Sequence, residues 1–388
     1  MKRSENRILT THVGSLPRPK ALLDLGSFEK GRPTDAVAYA RVLKESVAEV
    51  VKQQAAVGLD IVNEGEFGKS SWANYIIERI SGFELRPDQP RFAEWLGSDR
   101  IRFKEFLAED FPRAVSGTPT EACVGPITYR DKDSIAMAVD ALTAALPAVK
   151  VEEAFMTAVA PASTAYDGVN EFYPSDRDYV FAIADALREE YQAIHKAGLL
   201  VQVDDAVLAN MYDHLVSQSP ERYREWAQLR IDALNHALEG IPEDRVRYHL
   251  CFGSWHLPHI SDAPLEEIVG FILQVKAQAY SIEAANPRHE HEWRVWESVK
   301  LPAGKILIPG IITHHIITVE HPRLVADRIV RFAKLVGREN VIAGTDCGFA
   351  QVDSIRRVHP EVMWAKFEAL VEGSRIATEE LWGRKAAA

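Results

Sequence analysis

Four side chains that could bind a metal ion stand at the ends of β-rich segments far apart in the chain. His249 and Cys251 lie in Tyr-His-Leu-Cys, Glu283 ends Ser-Ile-Glu, and Cys347 lies in Thr-Asp-Cys-Gly. Because residues two apart on a strand point to the same side, His249 and Cys251 could bind one ion together. A buried carboxylate at Glu283 would be costly without a partner. Zinc accepts nitrogen, sulfur and carboxylate oxygen in a tetrahedron, so these residues predict a zinc site.

The ligand types indicate which reaction such a site would support. Two thiolates, one carboxylate and a neutral imidazole around Zn²⁺ leave a net charge of about −1. A substrate thiol that replaced the carboxylate would lose its proton, because coordinated thiols ionise. Zinc enzymes that activate water more often use histidine-rich ligation. The composition of the site therefore favours activation of a substrate thiol.

The elements that would position these ligands are short β-branched runs alternating with long helical patterns. Several helical patterns end in glycine, the usual helix C-cap, directly before the next strand. We predict strands at 8–13, 59–63, 153–159, 199–203, 246–251, 279–283, 306–312 and 341–345, with helices between them at 35–57, 177–197, 219–239, 263–276, 321–337 and 360–372. This alternation predicts an α/β fold in which a parallel sheet closes into a (β/α)8 barrel. The ligands would then meet at the carboxyl ends of the strands, where barrel active sites are built.

The barrel is expected to form one catalytic domain over residues 1–388. Residues 68–150 are expected to be partly an insertion near the active-site face, and we call this segment the excursion over the barrel mouth. The reason is that 68–122 and 129–150 do not fit a minimal strand–helix unit of a barrel. An open doubly wound sheet is the alternative, but no Gly-x-Gly-x-x-Gly stands between a strand and a helix.

Composition limits the partners and the compartment. The formal net charge of −11 and the absence of a basic stripe disfavour nucleic acid. No apolar run is long enough to predict a membrane span. Three cysteines cannot form an even disulfide framework, so metal binding or catalysis in a reducing, cytoplasmic setting explains them better. A homo-oligomer is compatible with this size, although no segment predicts one.

These segments, with others between them, resemble the catalytic C-terminal half of the cobalamin-independent methionine synthase family in a short, single-barrel form. The matching pieces are TTHVGSLPRP (10–19), DIVNEGEFGK (60–69), GPITYRD (125–131), VQVDDAV (201–207), YHLC (248–251), SIEAAN (281–286), PGIITHHI (309–316) and GTDCG (344–348). The resemblance implies a (β/α)8 barrel transferase of methionine biosynthesis. In that family zinc presents the sulfur of homocysteine to a methyl donor, and its ligands fall here on His249, Cys251, Glu283 and Cys347.

The same resemblance implies further site residues. Val13 and Ser15 would give backbone contacts to the amino acid substrate, and Glu66 and Asp204 would hold its ammonium group. His315 would be the catalytic proton donor.

Structural roles compete with these assignments. Glu66 could pair with Lys69, Asp204 could cap a helix, and His315 could be an ordinary hydrogen-bonded histidine at the barrel mouth. Thr313 stands where the family has an aspartate that orients this histidine.

The residues leave the alkyl donor and the thiol open. In the family the third strand carries a Gly-Pro pair and is followed by a tryptophan at the methyl-folate site, whereas 156–163 (MTAVAPAS) has neither. Methyl transfer to homocysteine or another thiol is therefore weighed against addition of a zinc-bound thiol to an epoxide, as in epoxyalkane:coenzyme M transferase. A third hypothesis is a non-catalytic, ligand-binding barrel with a structural zinc. Trp255, His256 and His259, which follow the ligand pair, could line the pocket in any of these cases.

Overall fold

The computed structural model describes residues 1–27, 33–91, 94–110, 118–166, 168–254, 256–353 and 355–383. Its main sheet has eight parallel strands. They are β1 (Leu9–Thr10), β2 (Ile61–Val62), β3 (Glu153–Val159), β4 (Leu200–Asp205), β5 (Val246–Leu250), β6 (Ala279–Ile282), β7 (Ile306–Ile312) and β8 (Ile342–Thr345). Every strand predicted from the sequence is present, most of them shorter by one to four residues.

The strand order nearly closes the sheet into a barrel. Hydrogen bonds connect the strands in the order β1-β8-β7-β6-β5-β4-β3-β2. The remaining gap is bridged where the amide of Asp60, just before β2, donates to the carbonyl of Thr10 in β1 at 3.1 Å. The predicted (β/α)8 barrel is therefore confirmed, and with it the common end at which all eight strands finish.

Helices surround the barrel and begin and end at the local signals that the sequence carries. Asp35 and Ser219 cap helices through their side chains, and Gly58 and Gly198 take the left-handed conformation after helices, with φ of 98° and 82°. The α-helices among the described residues are Lys20–Leu23, Ala36–Val57, Tyr75–Arg79, Asp99–Arg102, Lys104–Asp110, Lys132–Ala145, Asp176–Lys196, Val207–Asn210, Tyr212–Val216, Pro220–Ala237, Leu265–Ile272, Val295–Ser298, Pro322–Val336 and Pro360–Trp382. Short 3₁₀ turns occur at Glu94–Leu96, Leu146–Ala148, Pro161–Ser163, Glu243–Arg245, Glu290–Arg294 and Arg338–Asn340. None of the described helices is long and apolar enough to cross a membrane.

Side chains fill the barrel interior, and hydrogen bonds from Arg247 connect β5 to the turn after β1. A layer of apolar side chains fills one level of the interior: Leu9, Ile61, Phe155, Leu200, Ala279, Ile306, Ile308 and Ile342. Arg247 is fully buried, donates to Thr11 Oγ1 and to the carbonyl of His12, both at 3.1 Å, and lies 3.9 Å from the ring centroid of Phe155. Burial lowers the pKa of Arg247 to about 9. These bonds fix the strand that carries His249 against the start of the chain.

The predicted excursion contains a small second sheet. Phe83–Arg91 pairs antiparallel with Thr118–Cys123, which pairs parallel with Val169–Asn170. The last of these strands follows β3 and lies outside the predicted range 68–150. The division into one domain over 1–388 stays a prediction.

A buried polar network fastens the excursion to the barrel. Glu190, on the helix Asp176–Lys196, is fully buried and accepts hydrogen bonds from Tyr75, Arg79 and Tyr129 at 2.5, 3.1 and 2.7 Å. Arg79 lowers the pKa of Glu190 against the opposing effect of burial, so the carboxylate stays charged.

Candidate metal centre and adjoining cavity

The predicted metal ligands lie at the carboxyl end of the barrel. β5 ends at Leu250, β6 at Ile282 and β8 at Thr345, so Cys251, Glu283 and Cys347 follow strand ends directly or after one residue. His249 lies within β5. Because parallel strands finish at the same end, these residues from distant segments share one region.

Three of the four predicted ligands form a compact buried cluster. The ligand atoms of His249, Cys251 and Cys347 all lie within 4.8 Å of one another, and the two sulfurs are 3.3 Å apart. His249 Nδ1 lies 3.2 Å from Ser281 Oγ, which orients the ring. The other nitrogen, Nε2, is buried and has no hydrogen-bond partner in the described part of the chain. An unpartnered imidazole nitrogen beside two thiols fits a metal ion.

A hydrogen bond between the two cysteines shifts their pKa values in opposite directions. The hydrogen bond from Cys251 lowers the pKa of Cys347 well below its usual value, and the same bond raises the pKa of Cys251. Ser254 Oγ donates to Cys347 Sγ at 3.0 Å, and the amide of Gly253 donates to Cys251 Sγ at 3.2 Å. The surroundings therefore favour the thiolate form of Cys347.

Glu283 lies beside this cluster but is held by other bonds. Its carboxylate accepts from the amide of Phe252 at 3.1 Å and from Asn286 Nδ2 at 2.8 Å. It forms a second group with His314 and Asp346, whose ligand atoms also lie within 4.8 Å of one another. Burial, and then the charge of Asp346, raises the pKa of Glu283 well above its usual value. Ligation by Glu283 stays a prediction.

A cavity adjoins the cluster, and all four predicted substrate contacts line it. The predicted residues on its wall are Val13, Ser15, Glu66, Asp204, His249, Cys251 and Cys347. The two cysteines and both carboxylate residues therefore line one cavity.

The two carboxylates do not have the structural roles that competed with substrate binding. Lys69 Nζ bonds to the carbonyl and hydroxyl of Thr157 at 2.7 and 2.6 Å, and Glu66 Oε1 accepts from the same hydroxyl at 2.7 Å. Glu66 Oε2 has no hydrogen-bond partner among the described residues, but it lies 3.9 Å from Arg18 Nη2 in a buried ion pair. The helix cap falls on Asp205, which accepts from the amide of Leu208 at 3.2 Å.

Both carboxylates have features expected of a binding site. Glu66 has a φ of 60°, an uncommon conformation for a side chain of this kind that concentrates at functional sites. Burial raises the pKa of Asp204 to about 7. A cationic substrate group beside Asp204 would favour the charged form of its carboxylate.

The turn after β1 docks on the loop that carries Cys347. The amide of Phe349 donates to the carbonyl of Ser15 at 2.8 Å, and the Val13 amide donates to Thr345 Oγ1 at 3.2 Å. The carbonyl of Val13 accepts from Gln202 Nε2. Both backbone groups of Val13 are thus already engaged, so a further backbone contact to substrate would have to share its carbonyl.

His315 lies outside the described wall of this cavity. Its ring centroid is 4.7 Å from that of His314 and 5.7 Å from that of His256. Burial, assisted by His256, lowers the pKa of His315 to about 4, so the ring is neutral at pH 7. Thr313, which stands where the family has an aspartate, donates from its amide and its hydroxyl to Glu320 Oε1, at 2.8 and 3.0 Å. The role of His315 as proton donor stays a prediction.

Residues that sequence reasoning missed also line the cavity: Trp72, Trp95 and Tyr166. Trp72 and Trp95 lie in the excursion, whereas Tyr166 follows β3, and no local pattern in the sequence distinguishes them. Of the residues expected to follow the ligand pair into the pocket, His259 pairs with Asp262 at 3.0 Å and does not line the cavity. His256 does not line it either. Trp255 lies outside the described residues.

The chain matches known proteins over most of its length. A family model described as "Cobalamin-independent synthase, Catalytic domain" matches residues 8–98 and 159–365. A methionine synthase of Thermococcus kodakarensis is 23% identical over 382 residues, covering 96% of this chain and 94% of that protein. One of Saccharolobus solfataricus is 23% identical over 376 residues, covering 96% and 95%.

A solved structure has the same fold. It is that of a B12-independent methionine synthase from Shewanella sp. W3-18-1 in complex with selenomethionine, which superposes with a TM-score of 0.75 at 18% identity and covers 97% of this chain and 100% of that one. With a family model that spans both the cavity residues and the sulfur cluster, this chain belongs to the cobalamin-independent synthase family, as its catalytic domain.

Proposed function

We propose that this protein transfers a methyl group to the sulfur of homocysteine, with zinc held by His249, Cys251, Cys347 and Glu283. The observation that carries the proposal is the buried cluster of two thiols and an unpartnered imidazole nitrogen, which opens onto a cavity with two carboxylates. The family and its methionine synthase members support methyl transfer over epoxide addition or a non-catalytic barrel.

The residues present supply binding and orientation. Zinc, when bound, would lower the pKa of a coordinated substrate thiol and so supply a nucleophilic thiolate. Glu66 and Asp204 would bind the ammonium group of the amino acid, which holds its sulfur toward Cys251 and Cys347. Glu283 would complete the set of residues that hold the metal, and Phe252 and Asn286 donate to its carboxylate. Holding thiolate and methyl carbon in line removes much of the entropic cost of the reaction.

The compartment and assembly belong to this proposal. Two unpaired cysteines at a metal site require a reducing environment, so we place the protein in the cytoplasm. Self-association stays a prediction that sedimentation would test.

Metal content and thiol binding test the proposal. We expect about one zinc per chain in protein purified without added metal, loss of the metal in Cys251→Ala, and retention in Cys123→Ala. Cys123 is a matched control because it is buried in the small sheet, away from the cluster. In the cobalt-substituted protein, homocysteine should change the absorption spectrum.

Two results would count against the proposal. Equal metal content in Cys251→Ala and Cys123→Ala would show that the protein does not bind its metal at the predicted site. A cobalt spectrum that no thiol changes would favour a structural metal, and a thiol product formed from an epoxide rather than from a methyl donor would favour the addition reaction.

A further inference from the structure

His289 is a buried histidine that the proposed function does not use. It stands directly before the 3₁₀ turn that follows β6, and only 3% of its surface is exposed. Its ring nitrogens face two carboxylates: Nδ1 bonds to Glu292 Oε2 at 2.8 Å, and Nε2 bonds to Asp262 Oδ2 at 3.0 Å. Because carboxylates only accept, both nitrogens donate and the ring is positively charged. Burial alone would lower the pKa of His289, but these two bonds raise it to about 10.

The two carboxylates are themselves held in place, so the ring between them has one position. Both oxygens of Asp262 lie 3.0 Å from His259 Nδ1, in the loop that follows β5. Glu292 Oε1 accepts from the amide of Leu265 at 2.7 Å. The ring of His289 is therefore fixed from both sides, and it joins the loop after β5 to the loop after β6.

The face of this ring lies against the residue that follows a predicted metal ligand. The rings of His289 and Phe252 are stacked, with centroids 3.8 Å apart and planes 21° from parallel. The face of a phenyl ring attracts a cation placed over it. Phe252 directly follows Cys251, and its amide donates to Glu283 Oε1 at 3.1 Å. The stack therefore fixes the residue that connects two of the predicted ligands.

The other residue that holds the Glu283 carboxylate also contacts His289. Asn286 Nδ2 donates to Glu283 Oε2 at 2.8 Å, and Asn286 Oδ1 accepts from the amide of His289 at 3.1 Å. Both oxygens of Glu283 are thus held by residues that His289 contacts, one through its ring and one through its backbone. Groups that orient a metal-binding carboxylate in this way control how tightly the metal is bound.

We propose that His289 is a positioning residue for the metal centre. Its ring, held between Asp262 and Glu292, sets the position of Phe252 and thereby the position of Glu283 relative to Cys251. His289 is not part of the cavity wall, so it acts on the predicted ligands and not on the substrate. This inference rests on the proposed function, because it concerns the metal of that function.

Metal affinity tests the inference. We expect His289→Gln to weaken metal binding about ten-fold or more, because glutamine has no flat charged ring and cannot hold both carboxylates. Phe252→Leu should have a similar effect, since it keeps an apolar side chain but removes the other half of the stack. His291→Gln is the matched control, because His291 lies in the same short turn and is exposed. Competition with a chromophoric chelator measures the affinity, and circular dichroism checks that each variant is folded.

A double-mutant cycle with Glu283 separates positioning from a general loss of stability. If His289 acts through Glu283, His289→Gln should have little further effect in a Glu283→Gln background. A merely weakened fold would lower the affinity by the same factor in both backgrounds. The cobalt-substituted protein gives a second readout, because a displaced ligand should change the visible absorption of the metal in His289→Gln and leave it unchanged in His291→Gln.

Two results would overturn the inference. One is equal metal affinity in His289→Gln and His291→Gln, and the other is the same loss from His289→Gln with and without Glu283. In both cases loss of metal in Cys251→Ala would leave the proposed methyl transfer standing. A wild-type protein that binds no metal would instead overturn the proposed function, and this inference with it.

Discussion

Gly310 in β7 sets the position of the Cys347 loop, and Gly310→Ala should disturb both stability and metal binding. An alanine Cβ at this position would lie 2.5 Å from the Cα of Asp346 and 2.7 Å from its backbone nitrogen. Ordinary contacts between such atoms need about 3.5 Å, so β7 and the loop must separate by about 1 Å. Asp346 precedes Cys347 and accepts from the amides of Ala284 and Ala285 at 2.8 and 2.9 Å, so the shift would reach the cluster of His249, Cys251 and Cys347.

The size of the expected effect on stability follows from overpacking. The size of the effect on metal affinity follows from displacing the backbone that positions the predicted ligands. We expect a loss of about 1–3 kcal/mol in the free energy of unfolding and a ten-fold or greater loss of metal affinity. Urea unfolding with and without a chelator measures the first, and competition with a chromophoric chelator measures the second. Gly270→Ala is the control, because its Cβ would meet nothing within 4 Å on an exposed helix face and should stabilise the fold by up to about 1 kcal/mol. A Gly310→Ala protein with wild-type stability and metal affinity would refute this account of the β7 contact.

Three further predictions concern charges. Arg79→Met should cost about 3–5 kcal/mol in urea unfolding, because it leaves the Glu190 carboxylate buried without its cation; a loss under about 1 kcal/mol would contradict this. His289, whose pKa is raised to about 10 because two carboxylates outweigh burial, should stabilise the fold fully below about pH 6.5 and progressively less as pH rises toward about 10. Across that pH range, the free energy of unfolding should fall less for His289→Gln than for the wild-type protein. Parallel plots of the free energy of unfolding against pH for the two proteins would disprove the contribution of His289. Glu66→Gln should raise KM for homocysteine about ten-fold at unchanged zinc content, since one charge-assisted bond is lost, whereas loss of zinc would show that Glu66 supports the metal.

The sequence by itself determined the barrel and the residues of a candidate metal-binding group. Each strand carries its own β-branched run, and each helix its own capping residues, so local patterns were sufficient for all eight strands. The candidate metal-binding group was also predictable, because a histidine and a cysteine two apart, with a second cysteine at another strand end, are residue types that bind zinc, and zinc itself stays a prediction.

Only the tertiary structure decided which hydrogen-bond partner each polar side chain of the candidate site has. It gave the helix cap to Asp205 and left Asp204 on the cavity wall, although adjacent aspartates are equivalent to a sequence pattern. It turned Thr313 toward Glu320, and it held Glu283 by Phe252 and Asn286. It also placed Trp72 and Trp95 of the excursion on one cavity wall with Tyr166, which follows β3. These outcomes depend on distances between segments far apart in sequence, and no local periodicity encodes such distances.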